Sequence, residues 1–228
     1  MLSKNKKLQS SEDHWVPLAD LMTGLMMMFM LIAVLYMLKI NSVAKDYSQT
    51  KNELGKALCS EFSKDLKEWK AECDPSDLVI RFKSPDVLFD TGKDILKPKF
   101  ISILDDFFPR YIKILESKKF KDSIEEVRVE GHTSSIWGLG VSSNQAYFLN
   151  MQLSQARTRS VLQHVLQKPS LEDQDWLRQH LTANGLSSSH LVYDANGKED
   201  VKTSQRVEFR IRTNADQRIQ DILGVSKQ

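Results

Sequence analysis

Residues 16–38 read VPLADLMTGLMMMFMLIAVLYML, 23 residues whose only carboxyl is that of Asp20. As a helix rising ~1.5 Å per residue they reach roughly 34 Å, enough to cross a hydrocarbon core of ~30 Å. This stretch sets the architecture: one N-terminal transmembrane helix, with everything else following it. A carboxylate inside such a span is costly, and it usually faces a partner or a water-filled path. Asp20 is therefore read first as an ion-carrying group. A structural reading stays open, because Pro17 suits a first helical turn and acids are favoured near a helix N-terminus. The surroundings weigh toward the functional reading. Trp15 sits where an interfacial aromatic would. Ala19, Thr23 and Gly24 are small enough to let a second helix approach. Met22, Met26, Met27 and Met28 offer adaptable apolar surface.

Outward from the span, residues 1–14 read as a short cytoplasmic N-terminus and 15–38 as the transmembrane helix. The apolar run is too long for a cleavable signal, and no small-x-small site follows it before Lys39, so an uncleaved signal anchor is expected. Lysines flank both ends, Lys4, Lys6 and Lys7 before and Lys39 and Lys45 after, so charge orients the span weakly. The short polar N-terminus and the domain that follows favour N-terminus inside and C-terminus outside.

Residues 39–76 form a polar, helix-compatible connector. Val43, Tyr47, Leu54, Leu58, Phe62, Leu66 and Trp69 recur mostly at steps of three, four and seven. That stripe suits either pairing of two copies or packing on the chain's own domain. Gly55 weakens the middle of a continuous helix. Cys59 and Cys73 are the only cysteines. They permit an intrachain disulfide outside the cytoplasm, and two unpaired thiols or an interchain bond remain as alternatives.

Composition fits one span and one soluble domain: 41% hydrophobic, 27% charged. The net charge of +2 gives no case for direct nucleic-acid binding. Residues 77–213 alternate strands and helices, and 214–228 form a polar tail. Strands are predicted at 77–82, 124–130, 190–194 and 205–212. Helices are predicted at 97–117, with Pro109 kinking or breaking it, at 144–167 with Leu149, Leu153, Ala156, Val161, Leu162 and Val165 on its apolar side, and at 171–184. The order implies an α/β sandwich, a mixed sheet with helices on one face.

Two motifs carry a resemblance. Trp15-Val-Pro-Leu-Ala-Asp20-Leu-Met-Thr-Gly24 resembles the transmembrane signature of ion-driven stator B subunits, the MotB-like family. Val129-Glu130-Gly131-His132-Thr133, then Asn150-x-x-Leu153-Ser154-x-x-Arg157, then Gln205-Arg206-Val207-Glu208 resemble the OmpA-like peptidoglycan-binding domain. In this order the two cover most of the chain. The resemblance implies that Asp20 binds and releases the coupling ion, with Thr23 one turn beyond it. It implies that Thr133, Ser134, Asn150, Leu153, Arg157 and Arg206 lie at a site for the diaminopimelate or equivalent residue of the wall peptide. The family's clamp is zwitterionic, with an acid for the ammonium and an arginine, here Arg157, for the carboxylate. This chain departs from it. Ser134 stands where the family usually has Asp, and residues 135–145 are extra.

The His132-Thr133-Ser134-Ser135 turn and the Trp137 insertion resemble the B subunits of Zorya anti-phage defence systems, the ZorB family. That likeness implies a homodimer of this chain inside a pentamer of MotA-like ZorA membrane subunits. The translocated ion is expected to be a proton, since a sodium site needs several oxygen ligands and this helix offers mainly Asp20 and Thr23. No cofactor and no resident metal are expected.

An enzyme reading is poor. His14, His132, His164, His180 and His190 are scattered, and no nucleophile–base pair is evident. Residues 194–200 (DANGKED) are oxygen-rich but lack full calcium-loop spacing, and they read as a turn.

Overall fold

The computed structural model describes residues 15–83, 85–167 and 174–214. The N-terminus at 1–14, the tail beyond 214 and positions 171–173 of one predicted helix lie outside the described residues. Helix α1 (Trp15–Glu61) is a single unbroken helix of 47 residues, long and apolar enough to cross a membrane. It passes through Gly55 without interruption, and packing explains why. A Cβ at Gly55 would lie 2.2 Å from the Pro75 carbonyl oxygen, so glycine is what allows this close approach. The last turns of α1 carry Leu54 and Leu58 into the core, followed by Phe62 just beyond the helix. This end of the connector stripe therefore packs on the chain's own domain.

After the single turn α2 (Leu66–Trp69), Lys70 takes a left-handed conformation (φ 51°) and the chain reverses. Strand β1 (Ala71–Asp74) follows, inside the stretch read as connector, and pairs antiparallel with β2 (Val79–Phe82). A disulfide joins Cys59 of α1 to Cys73 of β1, with the Cα atoms 5.5 Å apart.

Beyond the short α3 (Pro85–Leu88) come α4 (Pro98–Leu115), β3 (Ile124–His132), α5 (Ser143–Leu166), α6 (Gln174–His180), β4 (Leu181–Gly185), α7 (Val201–Ser204) and β5 (Arg206–Thr213). The sheet order is β1-β2-β5-β3-β4. β3 and β4 are parallel and the other neighbours antiparallel, so the sheet is mixed, as expected. Its apolar face presents Ile80, Phe82, Val127, Val129, Val207, Phe209 and Ile211. Against it lies α4, whose Phe100, Leu104, Phe107, Phe108, Tyr111 and Leu115 are fully buried. Ring pairs such as Phe107–Phe209 (centroids 4.9 Å) and Phe82–Phe107 (5.3 Å) join the two layers.

Three expectations change. Pro109 does not break α4. It removes one backbone donor, but Phe107, Phe108, Tyr111 and Ile112 on either side are buried and hold the helix to the sheet. The last four residues of the predicted helix 171–184 belong to β4, an edge strand held by its parallel pairing to β3. The predicted strand 190–194 is a loop with one isolated bridge, Tyr193 to Glu199. Within that loop Asp194 Oδ1 accepts from the Asn196 and Lys198 N–H groups, both at 2.9 Å, which makes 194–198 a side-chain-closed turn.

Candidate functional site

Asp20 and Thr23 stand on the same side of α1, three residues apart. Both are exposed on the bare helix. The Thr23 hydroxyl donates to the Ala19 carbonyl at 2.5 Å, back-bonding one turn along the helix. Met22, Met26, Met27 and Met28 are likewise exposed, at 56–73%.

The second cluster lies at the end of β3, where α5 crosses. Helix α5 starts in a capping box. Ser142 accepts from the Gln145 N–H, and the Gln145 side chain accepts from the Ser142 N–H. The face of α5 that meets the sheet is small and polar: Ala146, Asn150, Ser154, Arg157 and Thr158 are buried beside Val161 and Val165. Leu149, Leu153 and Ala156 are only half-buried. Two glycines account for this. A Cβ on Gly131 would meet Thr158 Cγ2 at 2.7 Å, and one on Gly185 would meet the Gln155 backbone nitrogen at 2.3 Å. The helix backbone lies so close to β3 and β4 that large side chains do not fit between them. Ser154 completes the seam by accepting from the Ser187 N–H at 3.1 Å.

This packing opens a cavity of about 120 Å³ beside the seam. Thr133, Ser134, Asn150, Leu153 and Arg157 all line it, so five of the six wall-binding candidates converge. Arg157 is 8% exposed. Its Nε donates to the Lys93 carbonyl at 2.8 Å and a terminal nitrogen donates to the Asp90 carbonyl at 3.1 Å. The guanidinium lies 4.8 Å from the Phe89 ring centroid. Burial lowers its pKa, and the Asp94 charge opposes that shift; an arginine stays charged regardless. Asn150 Nδ2 and Thr133 Oγ1 are buried with no hydrogen-bond partner among the described residues.

Arg206 does not join this cavity. Alternation along β5 turns it to the other face of the sheet. There its Nε donates to Glu208 at 2.7 Å and a terminal nitrogen donates to the His190 and Ser204 carbonyls, both at 3.1 Å. Gln205, one residue earlier, lines the cavity instead, and its Nε2 donates to Ser134 Oγ at 3.4 Å. Thr91, Gly92, Ile136 and Trp137 complete the walls. The insertion carrying Trp137 was visible in the sequence. Glu199 pins that insertion by accepting from the Ser135 N–H at 2.9 Å and from its hydroxyl.

On the outer sheet face, Glu130, His132 and Glu208 bring ligand-type atoms within 4.8 Å of one another. Arg210 donates to both carboxylates, at 3.0 and 2.9 Å, and Arg206 and Arg81 also hold Glu208. The donor set is thus already neutralised by guanidinium groups, an ion-pair lattice that would repel a divalent cation. Burial, then the Arg206 charge, lower the His132 pKa to about 3.

No family model matches the chain. Among solved structures it is similar to the cell wall anchor of the T6SS from Pseudomonas aeruginosa, with 19% identity, 68% of this chain and 96% of that one covered, and a TM-score of 0.44. It is similar to a MotB-like protein from Desulfovibrio vulgaris, with 21% identity, 76% and 94% covered, and a TM-score of 0.47. Among curated proteins, a Zorya protein ZorB from Escherichia coli O139:H28 is 23% identical over 92% of this chain and 85% of its own length. Another Zorya protein ZorB, from the Crooks strain of Escherichia coli, is 48% identical over 226 residues, 96% of this chain and 95% of the relative. Close to half the residues agree along almost the full length of both proteins, and the chain therefore belongs to the ZorB family.

Proposed function

We propose that this chain is the B-type stator subunit of a proton-driven motor serving anti-phage defence, anchored in the cell wall through the cavity at Arg157. The observation that carries the reading is the lone carboxyl of Asp20 in an apolar span whose helix runs unbroken into the wall-facing domain. Protonation neutralises Asp20 and lowers the cost of placing it against apolar partner helices. Deprotonation restores a charge that seeks water or a polar partner. Two copies of the chain, inside a ring of MotA-like ZorA subunits, would present two such carboxyls, and their alternation would turn the ring stepwise. The span crosses the inner membrane with its N-terminus in the cytoplasm and the domain in the periplasm. The chain carries no catalytic centre of its own and does not contact nucleic acid.

Asp20→Asn keeps size and polarity but cannot cycle a proton. Cells carrying this gene with its neighbouring operon should lose protection in a phage plating assay on making that change, while membrane level and wall association of the protein stay normal. Full protection with Asp20→Asn would demote the acid to a structural role and leave a wall tether. A swimming defect in place of a plating defect would move the chain to flagellar motility.

A further inference from the structure

The cavity at the end of β3 is built for an anion. Among the described residues, the one charged side chain lining it is Arg157, and no acid lines it. That guanidinium is buried, and its hydrogen bonds go to two backbone carbonyls. Beside it, Asn150 Nδ2 and Thr133 Oγ1 are unpartnered on side chains that are each 3% exposed. Buried donors left unmade are unfavourable, and a bound acceptor would relieve both at once. A carboxylate offers about four lone-pair sites, enough for Arg157, Asn150 and Thr133 together.

Among the described lining residues an ammonium finds no carboxylate. Ser134 offers a hydroxyl, which already accepts from Gln205. The nearby acids are engaged elsewhere: Glu199 by Ser135 and Asp90 by Lys97 and Lys93. Asp94 is exposed. The cavity, of about 120 Å³, is large enough to admit a carboxylate and the carbons that carry it. Trp137 and Ile136 supply an apolar wall for those carbons.

We propose that this cavity reads a single carboxylate of the wall stem peptide and ignores the neighbouring amine, so that its ligand class is a monocarboxylate and not a zwitterion. This rests on the wall-anchoring reading above. The test uses the full chain in detergent micelles and calorimetry with diaminopimelate-containing stem tripeptide. The same peptide is also supplied N-acetylated on the side-chain amine, and amidated on the side-chain or on the terminal carboxylate. Acetylation should change Kd by less than threefold, whereas amidation of one carboxylate should weaken binding at least tenfold and so identify which carboxylate is held. Ser134→Asp should create a preference of at least tenfold for the free amine over the acetylated peptide. A tenfold loss on acetylation with the native chain overturns the inference and leaves wall anchoring intact. Binding to none of the peptides, nor to purified sacculi, overturns the wall-anchoring reading itself.

Discussion

The imidazole of His132 is 4% exposed, and neither ring nitrogen has a hydrogen-bond partner among the described residues. Burial and the neighbouring Arg206 charge hold its pKa at about 3, against ~6.5 in an unfolded chain. Between those values the unfolded chain takes up a proton that the folded one refuses. Stability is therefore lost as pH falls from about 6.5 toward 3, by up to about 1.4 kcal/mol per pH unit. Glu208 contributes with the same sign but lower down. Burial raises its pKa, the Arg206 hydrogen bond and charge lower it further, and the net shift is downward. The stretch from pH 6.5 to 5 thus separates His132 from Glu208. Urea midpoints of the full chain should fall across that stretch, and His132→Phe should flatten the slope; an unchanged slope would mean that the ring titrates normally. At this scale the sequence was informative about residue types and weaker about facing. Asn150, Leu153 and Arg157 at helical spacing do share one cavity. Arg206 was a reasonable choice from its motif, but the two-residue period of a strand sends it to the opposite face, and Gln205 takes its place.

Element boundaries followed the strength of each local pattern. Helix α4 was legible because its apolar stripe is wide, and β5 because alternation is strict over Arg206–Thr213. β1 and β4 were not. β1 reads AECD and β4 LTANG, and neither has a strand-like run of its own; pairing with β2 and β3 makes them strands. The buried face of α5 was misread for a related reason. Its core side carries serine, threonine and asparagine, because the space there is set by Gly131 and Gly185 on the strands. Gly55 shows the same competition between local preference and packing. Alanine there would gain about 1 kcal/mol of helix propensity. Its Cβ would also be forced to within 2.2 Å of backbone at Pro75, and overpacking of this kind costs about 1–3 kcal/mol. Gly55→Ala is therefore expected to destabilise the domain by up to about 2 kcal/mol net, visible as a lower denaturant midpoint. A raised midpoint would show that the Pro75 turn yields freely.

For the molecule as a whole, α1 is both the membrane-length helix and part of the domain core, with Leu54 and Leu58 buried and Cys59 bonded to Cys73. No break in the helix separates Asp20 from Leu54 and Leu58 in the core. A continuous helix has an angular phase as well as a length, since each residue adds about 100° and 1.5 Å. The compass bearing of Asp20 is thereby fixed relative to the cavity at Arg157. One residue inserted between Asn41 and Ser42 would swing that bearing by about 100°, while seven would bring it back to within about 20° at the expense of roughly 10 Å of added height. If the motor depends on orientation, phage protection should fail with insertions of one or two residues and return with seven. Equal tolerance of all three would mean that the shaft slips. In that sense the chain carries its own dial, set by nothing more than the number of residues between a carboxyl and a disulfide.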